Sequence, residues 1–298
     1  MFIRRLPRFE YHTPATISEA LDQISLYRKK GKIIAGGTDL LLSMKKRDIM
    51  PEHLINLKGI DSLKGITYDE TTGLKIGALT TIGDIERAEV IRGKFLVLWD
   101  AVKVMAAQQV RNLGTIGGNL CSAAPSADTA PPLIALGASL KLTAPVNTRI
   151  VEAEDFFRGP GLTILKPDEI LTEILIPNLP ENSSGAYIKL MRRNAMDLAL
   201  VGVAVFLRLD GNGKTCREAR VALGAVAPTP MRAATAESVL VHKNLDDELI
   251  AEAGKKASQD AKPIDDIRAS KTYRTEMIKV LTKRAIMTAR KRINETTR

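Results

Sequence analysis

The sequence predicts an α+β chain in which two small α/β units precede a sheet backed by helices. Three observations carry this expectation. Short apolar runs alternate with helical periodicity up to about residue 177. A polar, turn-rich stretch from Asn178 to Gly185 then marks a boundary. Beyond it, three strand-like runs give way to a mostly helical remainder. The expected units are residues 1–58, 59–177 and 178–298.

The elements follow in order. Ser18 is a plausible N-cap for a helix through Ala20, Leu21, Ile24 and Leu26. Lys32 to Ala35 is short, apolar and ends in Gly36-Gly37, which predicts a buried strand feeding a tight turn. Leu40 to Met44 starts a short helix, and His53 to Leu57 forms the next strand, giving a β-α-β unit with a parallel sheet. Residues 65–68 and 74–78 pair as a hairpin. A helix runs from Thr81 or Gly83 through Val90, and a second covers Phe95 to Ala107. Strands are expected at Ala138–Thr143, Thr148–Val151 and Glu169–Ile176. Past the boundary, Tyr187–Met191, Val201–Leu209 and Arg220–Val226 form a three-stranded antiparallel sheet, with Gly211-Asn212-Gly213 as a hairpin signal.

The totals restrict the function classes. Hydrophobic residues make up 45% of 298, as expected of a folded soluble protein. No apolar run approaches the ~20 residues of a membrane span, and the stretch from Met1 to Pro7 lacks the apolar segment of a secretory signal. Cys121 and Cys216 are the only cysteines, too few for a disulfide framework or a cysteine-held iron–sulfur cluster. The cytoplasm is the expected compartment. Part of the net charge of +10 falls on a C-terminal amphipathic helix, read as having a solvated basic face. With aromatics at 4%, nucleic-acid binding lacks its stacking residues.

Two glycine-paired loops carry the chemistry. In Ile33-Ile34-Ala35-Gly36-Gly37-Thr38-Asp39-Leu40 and Thr115-Ile116-Gly117-Gly118-Asn119, consecutive amides are bare of side chains and can approach a diphosphate from two sides. Thr38 and Asp39 can cap the helix at Leu40, and the same N-terminus can accept a phosphate; the two readings are compatible. No G-x-G-x-x-G accompanies the strand, so this is not the usual dinucleotide fingerprint. Small residues continue to Asp128, which is either a helix-favoured acid or an acceptor for a ligand's ribose or base. Arg111 meets a phosphate or only covers the surface. Cys121 reads as a packing residue. His12, His53 and His242 are scattered without metal spacing, and no Walker A or G-x-S-x-G motif is present. A cofactor loop without acid–base apparatus points to chemistry performed by the cofactor.

The segments A-G-G-T-D-L-L at 35–41, R-N-L-G-T-I-G-G-N at 111–119, A-P-S-A-D at 124–128 and R-R-N-A-M-D-L-A at 192–199 occur in the order and spacing of one family. Across essentially its whole length the chain resembles the FAD-binding medium subunit of the molybdenum hydroxylases. That resemblance implies a two-subdomain FAD fold of the vanillyl-alcohol-oxidase type and a C-terminal sheet-plus-helices domain. It implies that residues 33–40 and Thr115, Gly117, Gly118 and Asn119 hold the FAD pyrophosphate, and that Asp128 lies at the adenosine ribose. Leu171 falls where an apolar side chain packs on the flavin ring, and Lys189 at the flavin's polar edge. Met105 stands where some relatives have a phenylalanine over the flavin, and Leu198 where some have a tyrosine; both changes remove an aromatic ring.

The function implied is an oxidoreductase flavoprotein subunit. It would relay electrons from a small 2Fe–2S subunit through FAD to a terminal acceptor, beside a large molybdopterin subunit, in a dimer of heterotrimers. No metal is expected on this chain. Two alternatives stand beside it: a self-contained flavin oxidase of the same fold, for which no substrate base is apparent, and a non-catalytic assembly subunit.

Overall fold

The computed structural model describes residues 5–211 and 213–296. The stretch from Met1 to Arg4, the hairpin's Asn212 and the last two residues, each used in the sequence reading, lie outside the described residues.

The first sheet has three strands, Glu10–His12, Gly31–Ile34 and His53–Asn56, all parallel, with the last in the middle. Glu10–His12 adds an edge strand to the expected β-α-β unit. The helix Ile17–Tyr27 buries Ala20, Leu21 and Ile24 against Ile55, Leu57 and Ile60. Thr16, rather than Ser18, caps it. Thr16 has extended backbone, and its Oγ1 accepts from the Glu19 N–H at 3.2 Å. The Glu19 carboxylate reaches back to the Ala15 N–H at 2.9 Å, so each end satisfies a donor of the other.

The second sheet is antiparallel throughout, in the order Ile66–Asp69, Gly73–Gly77, Ile170–Ile176, Ser139–Thr143, Thr148–Glu152. Helices Ile82–Arg87, Glu89–Lys94 and Leu96–Lys103 lie between its hairpin and its later strands. The first of these was expected to continue through Val90, but it stops at Ala88, whose backbone is extended. Leu79 and Ile170 pack into the apolar cluster of the first sheet and its helix, so the first two sheets share apolar contacts.

The third sheet comprises Ser183–Leu190, Val201–Leu209 and Cys216–Gly224, with a two-residue fourth strand, Met231–Arg232, beyond the expected three. Its first strand begins inside the polar stretch. Val201, Val203, Val205 and Leu207 face a core shared with helices Ala234–Leu240, Asp247–Asp260 and Lys271–Thr296. Ala204 and Phe206 face the opposite way, into the core of the second unit with Leu133 and Leu140. Burial on both faces explains the unbroken apolar run of this strand.

The last helix corrects one expectation. Its basic residues are not simply a solvated face. Arg274 is buried and donates to the carbonyls of Leu200 (2.7 Å) and Ala225 (3.2 Å). Arg292 reaches the second unit, donating to Asp100 Oδ2 at 2.7 Å and to the Gly185 carbonyl at 2.6 Å. No helix among the described residues is long and apolar enough to cross a membrane.

Candidate functional site

The strand Gly31–Ile34 delivers the first glycine pair to the edge of the second unit. A Cβ on Gly36 would lie 2.3 Å from the Leu113 carbonyl oxygen and 2.8 Å from Gly114 Cα, so only glycine allows this approach. Gly37 takes φ +76°, the left-handed region that other residues enter at a cost. The chain then turns into the helix Leu40–Lys46. No backbone N–H from Gly36 to Leu40 finds an acceptor among the described residues. The expected cap is not made: Asp39 is exposed at the N-cap position, and its side chain accepts no capping hydrogen bond. These amides are donors without acceptors, grouped at one turn.

The second loop is built differently. Thr115 caps the helix Ile116–Cys121, its Oγ1 accepting from the Gly118 N–H at 3.1 Å. The Ile116 N–H donates to Thr80 O (3.1 Å), Gly117 N–H to Ala78 O (2.9 Å) and Asn119 N–H to Thr115 O (3.0 Å). The bare amides expected to receive a diphosphate here are therefore already engaged. Gly117 serves packing: a Cβ on it would come within 2.7 Å of Ala78 O. A Cβ on Gly118 would meet only Thr115 Oγ1, at 2.9 Å. Asn119 is set by Thr129, whose hydroxyl donates to its Oδ1 at 2.6 Å.

Arg111 is committed to the protein. It forms a salt bridge with Glu86 at 2.8 Å and donates to the Met105 carbonyl at 2.8 Å. That clamp holds the turn containing Ala106, which has φ +46°. Met105 is partly buried against the second core, and Leu171 is buried within it. Leu198 is half exposed in the loop between the first two strands of the third sheet. Asp197 organises this loop, accepting from the N–H groups of Arg192, Arg193 and Leu198 at 3.0–3.1 Å. Those bonds hold its carboxyl below the usual range against the opposing effect of desolvation.

Asp128 and Lys189 meet directly. Lys189 Nζ lies 2.7 Å from Asp128 Oδ2, and the Tyr187 hydroxyl donates to Oδ1 at 2.9 Å. The Lys189 side chain is 1% exposed and the Asp128 side chain 8%. Burial pushes the Asp128 carboxyl upward, opposed by Lys189 and Tyr187, and burial with the neighbouring carboxylate pushes the Tyr187 phenol well up. Asp128 thus ties the chain just before the helix Ala130–Ala135, whose N-cap position is Thr129, to the strand Ser183–Leu190.

The sequence reading missed Tyr187, Thr129 and the Leu113–Gly114 backbone. Tyr187 was accessible, because it stands two residues from Lys189 on one face of a strand. The others depend on long-range packing.

Residues 7–179 match the family model for the FAD binding domain in molybdopterin dehydrogenase, and residues 186–289 that for the CO dehydrogenase flavoprotein C-terminal domain. The chain belongs to this flavoprotein family. It is 36% identical over 283 residues to the carbon monoxide dehydrogenase medium chain of Hydrogenophaga pseudoflava, covering 95% of this chain and 97% of that one. It is 34% identical over 280 residues to the xanthine dehydrogenase FAD-binding subunit of Escherichia coli O157:H7, covering 94% and 95%. Its fold superposes on carbon monoxide dehydrogenase from Hydrogenophaga pseudoflava with TM-score 0.92 at 36% identity, over 96% of this chain and 98% of that one. Quinoline 2-oxidoreductase from Pseudomonas putida 86 gives TM-score 0.88 at 30% identity, over 97% and 99%. These solved relatives share the architecture over nearly its whole length, and the chain is an oxidoreductase flavoprotein subunit with an FAD-binding domain.

Proposed function

We propose that this chain is the electron-relay subunit of a three-component molybdenum hydroxylase, taking electrons from a 2Fe–2S partner and passing them to a terminal acceptor. The observation that carries the reading is the unpaired turn Gly36–Leu40, pinned by Gly36 against Leu113–Gly114. Its free N–H groups fit the pyrophosphate of FAD, whose many acceptor oxygens need donors at close range.

In this reading Ile33, Ile34 and Ala35 bring the turn into place, and Gly36, Gly37, Thr38, Asp39 and Leu40 line the pyrophosphate. Thr115, Gly117, Gly118 and Asn119 act by shape: their own bonds make a rigid, side-chain-poor wall that the cofactor can approach. Asn119 keeps its side-chain NH2 for donation while Thr129 holds its oxygen. Met105 and Leu171 supply apolar surface for the ring, and Lys189 with Asp128 a polar anchor. Bound FAD supplies two-electron storage with one-electron exchange, which suits it to stand between an iron–sulfur cluster and a two-electron acceptor. With Cys216 buried and Cys121 alone, the electrons reach this chain across a protein interface. A cytoplasmic dimer of heterotrimers, with 2Fe–2S and molybdopterin subunits, is the assembly proposed.

The test is reduction of the isolated, FAD-loaded chain under anaerobic conditions. Dithionite should bleach its flavin absorbance, whereas purines and aldehydes should leave it unchanged until the partner subunits are added. Rapid bleaching of the isolated chain by such a substrate would overturn the relay in favour of a self-contained oxidase.

A further inference from the structure

His12 and His53 are 41 residues apart in sequence, yet parallel pairing of their strands brings them together. Glu10 lies opposite His53 in the register, and His12 follows two residues later on the same face. His12 Nε2 stands 3.1 Å from His53 Nδ1. Glu10 Oε2 lies 3.3 Å from His53 Nδ1 and 3.9 Å from His12 Nε2. One ligand atom from each of the three residues falls within 4.8 Å of the others.

The rings are held in place. Tyr27 stacks on His53 at 3.8 Å between centroids and on His12 at 4.7 Å. Gly31 makes room for it, since a Cβ there would come within 2.9 Å of Tyr27 Cβ. The imidazoles are mostly buried, with side chains 20% and 15% exposed, while Glu10 is 72% exposed and keeps one side open to solvent.

We infer that Glu10, His12 and His53 form a binding site for a divalent transition-metal ion of the zinc class. Two Zn–N bonds of ~2.05 Å separated by an angle near ~100° place their nitrogens ~3.1 Å apart, which is the spacing found here. Two imidazoles and a carboxylate are a borderline donor set, suited to Zn2+ and its neighbours and poorly suited to Mg2+ or Ca2+. Solvent on the Glu10 side completes the coordination. The ion would tie the edge strand Glu10–His12 to the central strand of the first sheet, a structural rather than catalytic task.

The experiment titrates tag-free, chelator-stripped full-length chain with ZnCl2 against a chromophoric chelator. One Zn2+ per chain is expected, with affinity reduced at least tenfold in His12→Ala and in His53→Ala and several-fold in Glu10→Gln. Thermal unfolding should shift upward with Zn2+ in the wild type and stay put in the double variant H12A/H53A. No stoichiometric binding by the wild type, or unchanged binding by a folded double variant, would overturn the proposal and leave a histidine–histidine hydrogen bond. Independently of any variant, zinc-edge anomalous diffraction from the wild type should place the ion among these three residues, and a lone peak elsewhere would equally overturn it.

Discussion

Gly36 rests on the carbonyl of Leu113 so closely that a Cβ would lie 2.3 Å from its oxygen. The contact joins the turn of unpaired amides to the segment leading into the second loop. The turn and the segment that enters the second loop are therefore in direct backbone contact.

Gly36→Ala should accordingly lower both FAD affinity and stability, because the clash is with backbone and cannot be relieved by a rotamer change. Gly37→Ala should cost about 1–2 kcal/mol through its positive φ, with a separate loss of FAD affinity as the amides re-aim. Gly118→Ala meets only a hydroxyl and should be the mildest. Apoprotein titration by flavin fluorescence, paired with thermal unfolding, ranks the three. Equal FAD affinity in all three folded variants would remove these loops from the cofactor site.

Asp128→Ala should destabilise by about 3–5 kcal/mol, since it strands the buried Lys189 charge. The double variant Asp128→Leu with Lys189→Met should recover much of that loss, because both charges leave together. If the pair anchors FAD, the double variant regains stability without regaining affinity. Urea unfolding and FAD titration on the same samples separate the two effects. Recovery of both would make the pair purely structural.

Glu169 gives a pH dependence. Arg149 donates to both its oxygens at 2.8 Å and the Lys166 N–H adds a third bond. The Arg149 hydrogen bonds, with that backbone N–H, hold the carboxyl below 4.5. A lowered carboxylate contributes stability that is present above its unfolded pKa and lost as pH falls through the folded one. Stability should thus decline below about pH 4.5, and Glu169→Gln should flatten the contribution of this site. An acid denaturation series comparing the two proteins provides the measurement; parallel curves would contradict the assignment.

Arg292→Met should loosen the last helix from the second unit. It removes two bonds to Asp100 and one to the Gly185 carbonyl, a loss of about 2–3 kcal/mol for charge-assisted bonds. Hydrogen exchange should rise in Ser183–Leu190 and near Asp100. Unchanged protection there would show that the apolar packing alone holds the helix.

The legible parts of the fold were those decided locally. Gly37 follows a short apolar strand, and its left-handed turn is the conformation such a sequence signals. The Val201–Leu209 run announced a strand without revealing that both faces were covered. The second loop shows the limit. Its glycines matched a diphosphate cradle, but Thr80 and Ala78, nearly 40 residues upstream, accept from the Ile116 and Gly117 amides, while Thr115 accepts from those of Gly118 and Asn119. His12 and His53 escaped for the same reason, since parallel strands join residues whose sequence separation carries no signal. The helix cap went to Thr16 instead of Ser18 because backbone extension at the cap, not residue type alone, determines which hydroxyl faces the first turn.

The strand Val201–Leu209 presents Phe206 to one core and Val205 to the other. A hybrid that kept the first 179 residues of this chain and took the remainder from a relative would have to match an interior surface, not merely a linker. Exchange between lineages at this junction is therefore constrained by side-chain volume on the Ala204–Phe206 face. Chimeras that also transplant the relative's counterparts of helices Leu96–Lys103 and Ala130–Ala135, which pack on this sheet, should fold where simple splices do not.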